Sequence, residues 1–235
     1  MTAWNLSADD VVALPIDDLA LRVLRDTRDT NEWNWRNWVM ATQQDYGRGS
    51  PAVGALMEAW AWLINRGLVV RDINQSATES IVVSRQGHEA LERGLPWLRA
   101  VQRLDLQLVP ELEAKARPQF LRGDFEAAAF MAMKEVEVRV RSMGALPASL
   151  VGVALMQQAF RRPQSRDGQC GPLHRAEDEP GEAVAIMALF SGAIGLFKNP
   201  ASHRRVDFDD ATEAAEVVLL ADLLMRLLAK VQSDE

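Results

Sequence analysis

The sequence predicts a mainly α-helical protein of two domains, residues 1–105 and residues 106–235. Three observations lead to this prediction. Apolar residues recur at the spacing of an amphipathic helix through most of the chain. Two short β-rich runs, residues 68–70 and 81–83, flank a polar turn in the first half, which predicts a hairpin. Beyond residue 105 the helical pattern continues alone, so we expect the second domain to be helical throughout.

Three helices are predicted before the hairpin, at residues 14–27, 34–45 and 51–65. Pro15 suits the first turn of the first helix, and Gly67 suits the end of the third. A closing helix begins near residue 84 and is broken by Gly94 and Pro96. Three helices, a hairpin and a closing helix, in this order, predict a winged helix-turn-helix domain.

The second domain contains four long helical patterns, at residues 125–141, 147–160, 182–197 and from about 210 onward. Residues 162–181 are rich in proline, glycine, serine and charge, which predicts a surface loop. Four amphipathic helices of this length predict a four-helix bundle.

Composition and charge limit the classes of function. The chain of 235 residues is 48% hydrophobic and carries a net charge of −7, which is typical of an ordered protein and unfavourable for nonspecific binding of polyanions. The single cysteine, Cys170, excludes an internal disulfide. Because no leader peptide or membrane-length apolar run is recognisable, we expect a cytoplasmic protein without membrane contact.

The polar residues that bear on chemistry are concentrated where the third bundle helix ends. They are Lys198, Asn199, His203, Arg204 and Arg205. Lysine supplies a positive charge, histidine transfers protons near neutral pH, and arginines bind phosphate oxygens in bidentate fashion. The cluster therefore predicts chemistry on a phosphate.

Several motifs of the second domain, in order, resemble the Ymh-type family of the HEPN superfamily. They are Leu-Val-Pro-Glu-Leu at 108–112, Phe-Glu-Ala-Ala at 125–128, Lys-Glu-Val-Glu-Val-Arg at 134–139, Leu-Met-Gln-Gln-Ala-Phe at 155–160, and Gly192 with Phe-Lys-Asn-Pro-Ala-Ser-His-Arg at 197–204. The resemblance covers essentially all of residues 106–232. It implies a HEPN-like four-helix bundle, and many such proteins are metal-independent ribonucleases in toxin, phage-defence and RNA-processing systems.

The resemblance also implies a site. The signature of the superfamily is an arginine, a following polar residue and, after a short spacer, a histidine. Here the corresponding residues are Lys198, Asn199 and His203, so lysine keeps the charge but lacks the planar fork of arginine. Two such motifs usually face each other across a dimer, which implies a homodimer formed through the bundle.

The resemblance implies a metal-independent endoribonuclease, or a derivative of one, without a cofactor and acting in bacterial defence or growth control. His203 would transfer protons, Lys198 with Arg204 would offset the charge that develops on the phosphate, and Arg204 and Arg205 would bind the substrate. Asn199 would orient the phosphate or the imidazole. We further predict that Glu135, on the first bundle helix, crosses over to orient Lys198 or Arg204.

Simpler structural interpretations stand beside these. Lys198 at a helix end is a common complement of the helix dipole, and His203 with its arginines is compatible with a solvated loop. Cys170 and His174 lack further ligands for a zinc site. Transfer of a nucleotide is a third possible activity, although the chain has neither a glycine-rich phosphate loop nor clustered metal-binding acids.

The alternative function is a noncatalytic nucleic-acid-binding or scaffold protein that uses its winged helix for DNA or partner docking. The helix at 51–65 offers the major groove few basic or amide groups before Asn65 and Arg66, so partner docking fits the acidic charge better. Its tryptophans at 60 and 62 cannot both face inward, and one of them is expected to mark a contact surface.

Overall fold

The computed structural model describes residues 6–105, 107–163, 168–175, 179–198 and 210–233. The described chain is mainly helical, as the sequence predicts, and its strands form one two-stranded sheet. The chain divides into two compact units, Met1–Leu98 and Arg99–Glu235. Each unit is described below by itself.

The first unit contains α1 (Ala8–Ala13), α2 (Ile16–Thr30), α3 (Trp35–Tyr46), α4 (Pro51–Asn65), β1 (Val69–Arg71), β2 (Ile81–Val83) and the start of α5 (Arg85–Arg103). The helix predicted at 14–27 therefore begins at Ile16 and is preceded by the short α1. Leu14 between them is extended, because the ring of a following proline disfavours the helical backbone. Ser7 and Asp10 form a capping box that starts α1.

The predicted hairpin and the predicted helix break are both confirmed. The two strands are antiparallel, with Val70 opposite Val82. Helix α5 is interrupted at Gly94, whose φ of 80° lies in the left-handed region that favours glycine. The core of this unit forms where α2 packs on α4, with Leu19, Leu24, Leu56 and Leu63 at most 1% exposed.

The second unit contains α6 (Pro110–Lys115), α7 (Arg117–Leu121), α8 (Phe125–Met143), α9 (Gly152–Ala159), α10 (Pro180–Ala193), a π-helical turn (Ile194–Lys198) and α11 (Ala211–Ser233). The helix predicted from residue 147 begins instead at Gly152. Leu150 closes a turn onto Pro147, Val151 is extended, and Gly152 has a φ of 63°. Because of these backbone conformations, the helix begins five residues later than predicted.

Helix α8 is the central element of the second unit. It packs most extensively on α11 and also contacts α6, α7, α9 and the π-helical turn. The amphipathic pattern predicted at residues 125–141 is confirmed, since Ala128, Ala132, Val136 and Val140 form a buried stripe and are all 0% exposed. The alanines allow close approach of neighbouring helices, and each large apolar side chain that is buried contributes about 1.5–3 kcal/mol.

Helix α10 is apolar but mostly uncovered in the single chain. Phe190 anchors it, with its ring 4.7 Å from that of Phe160, and α10 packs mainly on α9. By length and composition alone, Pro180–Lys198 is the one described stretch that could cross a membrane, and 22% of it is buried. An apolar helix at a protein–protein interface has the same composition.

Candidate functional site

Lys198 lies at the end of the π-helical turn that follows α10. The wider turn from Ile194 to Lys198 contacts α8 and α9. Gly195 allows this approach, because a Cβ at that position would lie 3.2 Å from Cγ2 of Val153 on α9. Single π-helical turns inside helices are frequent at functional sites. The turn therefore places Lys198 against α8 and α9.

The side chain of Lys198 points into the unit and forms an ion pair with Glu137 on α8. The Nζ atom lies 3.2 Å from Oε2, and the two side chains are 14% and 6% exposed. An ion pair with so little solvent contact is screened far less than a surface pair. Lys198 is therefore held at a defined position where the described chain leads into the predicted motif.

Glu137 accepts hydrogen bonds from two further groups. Nη2 of Arg141 lies 2.7 Å from Oε1, and the backbone N–H of Gly152 donates to Oε2 over 3.0 Å. Nη2 of Arg141 also donates to the carbonyl oxygen of Leu150 at 3.2 Å. One carboxylate thus connects α8, the start of α9 and the π-helical turn.

These contacts keep Glu137 ionised. Burial raises the pKa of its carboxyl, but the hydrogen bonds from Arg141, the Gly152 N–H and Lys198, together with the charge of Lys198, outweigh it and lower the pKa below the usual glutamate value. One carboxylate thus faces two cations, Arg141 and Lys198. Lysine and arginine are the side chains that form charge-assisted hydrogen bonds to phosphate oxygens.

Glu135 pairs with Lys115 and not with Lys198, one of its two predicted partners; the other, Arg204, lies outside the described residues. Oε1 of Glu135 lies 2.8 Å from Nζ of Lys115 on α6, and the glutamate side chain is 6% exposed. Two positions along a helix rotate a side chain by roughly 200°. For that reason Glu135 and Glu137 lie on different faces of α8. Glu137, and not Glu135, forms the ion pair with Lys198.

The remaining residues of the predicted site are Asn199, His203, Arg204 and Arg205, and all four lie outside the described residues. The described residues contain no group of three or more histidine, cysteine, aspartate or glutamate side chains that could hold a metal ion. Cys170 is exposed.

Sequence reasoning missed Glu137 and Arg141 as parts of this site. A signal was available, because acids rarely occur among the buried positions of a helix unless they are paired. Glu137 and Arg141 are spaced for an i,i+4 ion pair, which the structure contains. Only the packing of α8 against the π-helical turn adds Lys198 to them.

In the first unit, α3 and α4 border an apolar groove of about 170 Å³. It is lined by Trp35, Val39, Met57, Trp60, Ala61 and Ile64. As expected, Trp60 and Trp62 differ: Trp60 is 2% exposed and packs edge-on against Trp38, while Trp62 is half-buried with the Arg66 guanidinium 5.2 Å from its ring centroid. The groove makes the outer face of α4 apolar rather than basic.

The protein is mainly helical, and its second unit contains a buried carboxylate that pairs with a lysine and an arginine. Residues 106–228 match the model of a family described as proteins of unknown function, Hypoth_Ymh. The chain belongs to this family. No curated protein matches the chain. No solved structure matches it either.

Proposed function

We propose that this protein is a HEPN-like metal-independent endoribonuclease, or a derivative of one, that acts in bacterial defence or growth control. The observation that supports the proposal most directly is the ion pair between Lys198 and the buried Glu137. It holds a lysine at the first position of the predicted Lys-Asn-Pro-Ala-Ser-His motif, within the region matched to the family.

The proposed chemistry divides the work among the motif residues. His203 moves the protons of the 2′-hydroxyl and the leaving oxygen, and Lys198 with Arg204 and Arg205 stabilises charge on the phosphate. Asn199 orients the phosphate or the imidazole. Lysine in place of arginine retains the charge and gives up bidentate binding, so we expect slower cleavage than arginine would support.

The proposed assembly is a homodimer in which two copies meet along α10. Its uncovered face consists of apolar and small residues: Val184, Ala185, Ala188, Leu189, Gly192 and Leu196. Residues 181–197 carry a single charged side chain, Glu182, so two copies can meet with little charge repulsion. A two-fold interface needs such a self-complementary surface. Because the face continues to the turn that carries Lys198, pairing along it would bring two motifs near each other.

The activity is tested with the purified full chain and a fluorogenic single-stranded RNA in excess chelator. We expect cleavage by the wild type and its loss in His203→Ala. His174→Ala is the matched control, because His174 is a half-buried loop residue of the same unit. Equal behaviour of the wild type and His203→Ala would contradict the proposal.

The second candidate function is a noncatalytic scaffold or nucleic-acid-binding protein that uses a winged helix in the first unit. The order of α2–α4, the hairpin and α5 supports a winged-helix layout. The apolar groove beside α4 favours a protein partner over DNA. Salt-dependent binding to duplex DNA that is lost in Arg66→Ala and Arg71→Ala, but kept in His203→Ala, would favour the DNA-binding form instead.

A further inference from the structure

We propose that Glu137 is the positioning residue of the ribonuclease site, holding the ammonium group of Lys198 where it stabilises the charged phosphate. This inference rests on the proposed function. It assigns a role to a residue that carries none in the predicted mechanism.

Glu137 is 6% exposed, and its two carboxylate oxygens are used by groups from three elements: Arg141 on α8, the first N–H of α9, and Lys198 on the π-helical turn. The acceptor is therefore itself fixed on two sides before Lys198 binds it. A fixed acceptor orients a lysine more narrowly than solvent does, because the flexible stem otherwise samples many rotamers.

The negative charge of Glu137 is shared between two cations. Nη2 of Arg141 lies 2.7 Å from one carboxylate oxygen, and Nζ of Lys198 lies 3.2 Å from the other. A cation held in a fixed, partly dry position stabilises developing negative charge more efficiently than a cation in water does.

Asp222 on α11 is a carboxylate with contacts similar to those of Glu137. Asp222 accepts from Arg226 at 2.6 Å, also four residues later, and from the backbone N–H of Val109 at 2.7 Å. It is 9% exposed. Like Glu137, Asp222 accepts from an arginine four residues later and from a backbone N–H, but it does not pair with the lysine of the motif. Asp222→Asn therefore measures how much the loss of such hydrogen bonds lowers the stability of the fold.

The test compares Glu137→Gln, Lys198→Met, the double variant and Asp222→Asn in the full chain, using the fluorogenic RNA in chelator. We expect Glu137→Gln to lower kcat about 100-fold, the effect of misplacing a catalytic group by roughly 1 Å, with KM changed less than about twofold. In the Lys198→Met background, Glu137→Gln should lower kcat no further, because both changes remove the same interaction. Asp222→Asn should lower Tm about as much as Glu137→Gln does, and it should leave kcat within about twofold of the wild-type value.

Glu137→Asp provides a second route if Glu137→Gln folds poorly. It keeps the charge but withdraws it by one methylene, so we expect lower kcat and partial recovery on combination with Lys198→Arg, whose longer side chain closes the gap. If the kcat losses of Glu137→Gln and Lys198→Met instead multiply in the double variant, the two residues act independently. That result would overturn the inference and leave the proposed function intact, provided that cleavage still depends on His203. Cleavage that is unaffected by His203→Ala would instead remove the proposed function, and the positioning role with it.

Discussion

At the scale of single residues, the candidate site depends on a carboxylate that is stable inside the protein only because donors surround it. An unpaired ionised group in a protein interior is strongly unfavourable. Glu137 is compensated by Arg141, Lys198 and the Gly152 N–H. Removing one partner of such a buried pair costs about 3–5 kcal/mol in comparable cases. Each of these groups thus compensates the charge of the carboxylate, which suits a site that must hold a cation in place.

Acid should destabilise the protein through Glu137. Its pKa is lowered in the folded state, so the ionised group stabilises the fold fully above the unfolded pKa of about 4.3, and this contribution disappears as pH falls through the folded pKa. Glu137→Gln cannot titrate. We expect the wild type to lose its stability advantage over this variant on acidification, measured by denaturant unfolding at a series of pH values. Parallel pH profiles for the two proteins would contradict this prediction.

Lys198→Arg should increase cleavage under the proposed function. Arginine keeps the positive charge and adds a planar fork that binds two phosphate oxygens at once, which the single ammonium group of lysine cannot do in the same geometry. We expect kcat to rise about tenfold. Steady-state kinetics on the RNA substrate measure it, with Lys198→Met as the variant that loses the charge. A kcat for Lys198→Arg as low as that of Lys198→Met would show that the ammonium group itself is needed.

At the scale of elements, close packing decides which glycines are replaceable. Gly54 on α4 has open space around the position of a Cβ, whereas a Cβ at Gly87 on α5 would collide with the backbone carbonyl oxygen of Leu68. The two glycines thus form a matched pair within the first unit.

Gly54→Ala should stabilise the first unit by about 0.5–1 kcal/mol, because alanine loses less backbone entropy than glycine in a helix. Gly87→Ala should destabilise it by about 1–3 kcal/mol through overpacking. Chemical denaturation of both variants measures the difference. Destabilisation by Gly54→Ala, or no effect of Gly87→Ala, would mean that α4 or α5 packs differently.

At the scale of the whole molecule, α10 presents an apolar face that the described part of the chain leaves exposed. Val184 is 45% exposed, Leu189 41% and Leu196 65%. Contiguous apolar surface of this kind marks an interaction site in soluble proteins. A second copy is the partner proposed here.

Leu189→Arg should convert the proposed dimer to a monomer. In the proposed dimer Leu189 would be buried, which is worth about 1.5–3 kcal/mol. The variant replaces it with a charge that has no partner across the two-fold axis. The dissociation constant of the dimer should therefore rise at least about 100-fold. Analytical ultracentrifugation measures it. Leu223→Arg is the control, because Leu223 is an exposed leucine of α11 outside the α10 face. Equal dissociation of the two variants would argue against α10 as the interface.

Much of the fold follows from local patterns in the sequence. The helix at Pro51–Asn65, the hairpin, the break at Gly94 and the buried stripe of α8 were all predictable. Each depends on periodicity or on a residue with strong backbone preferences. The late start of α9 was not predictable, because it depends on the turn at Pro147 and on a left-handed backbone at Gly152.

The sequence by itself determined the helical class of the protein and the concentration of Lys198, Asn199 and His203 within six positions, because both are properties of neighbouring residues along the chain. Only the tertiary structure decided that Lys198 pairs with Glu137 while Glu135 pairs with Lys115. These partners are far apart in sequence and meet because α8 packs against two different elements. The identity of an ion-pair partner therefore depends on packing, which local patterns do not encode.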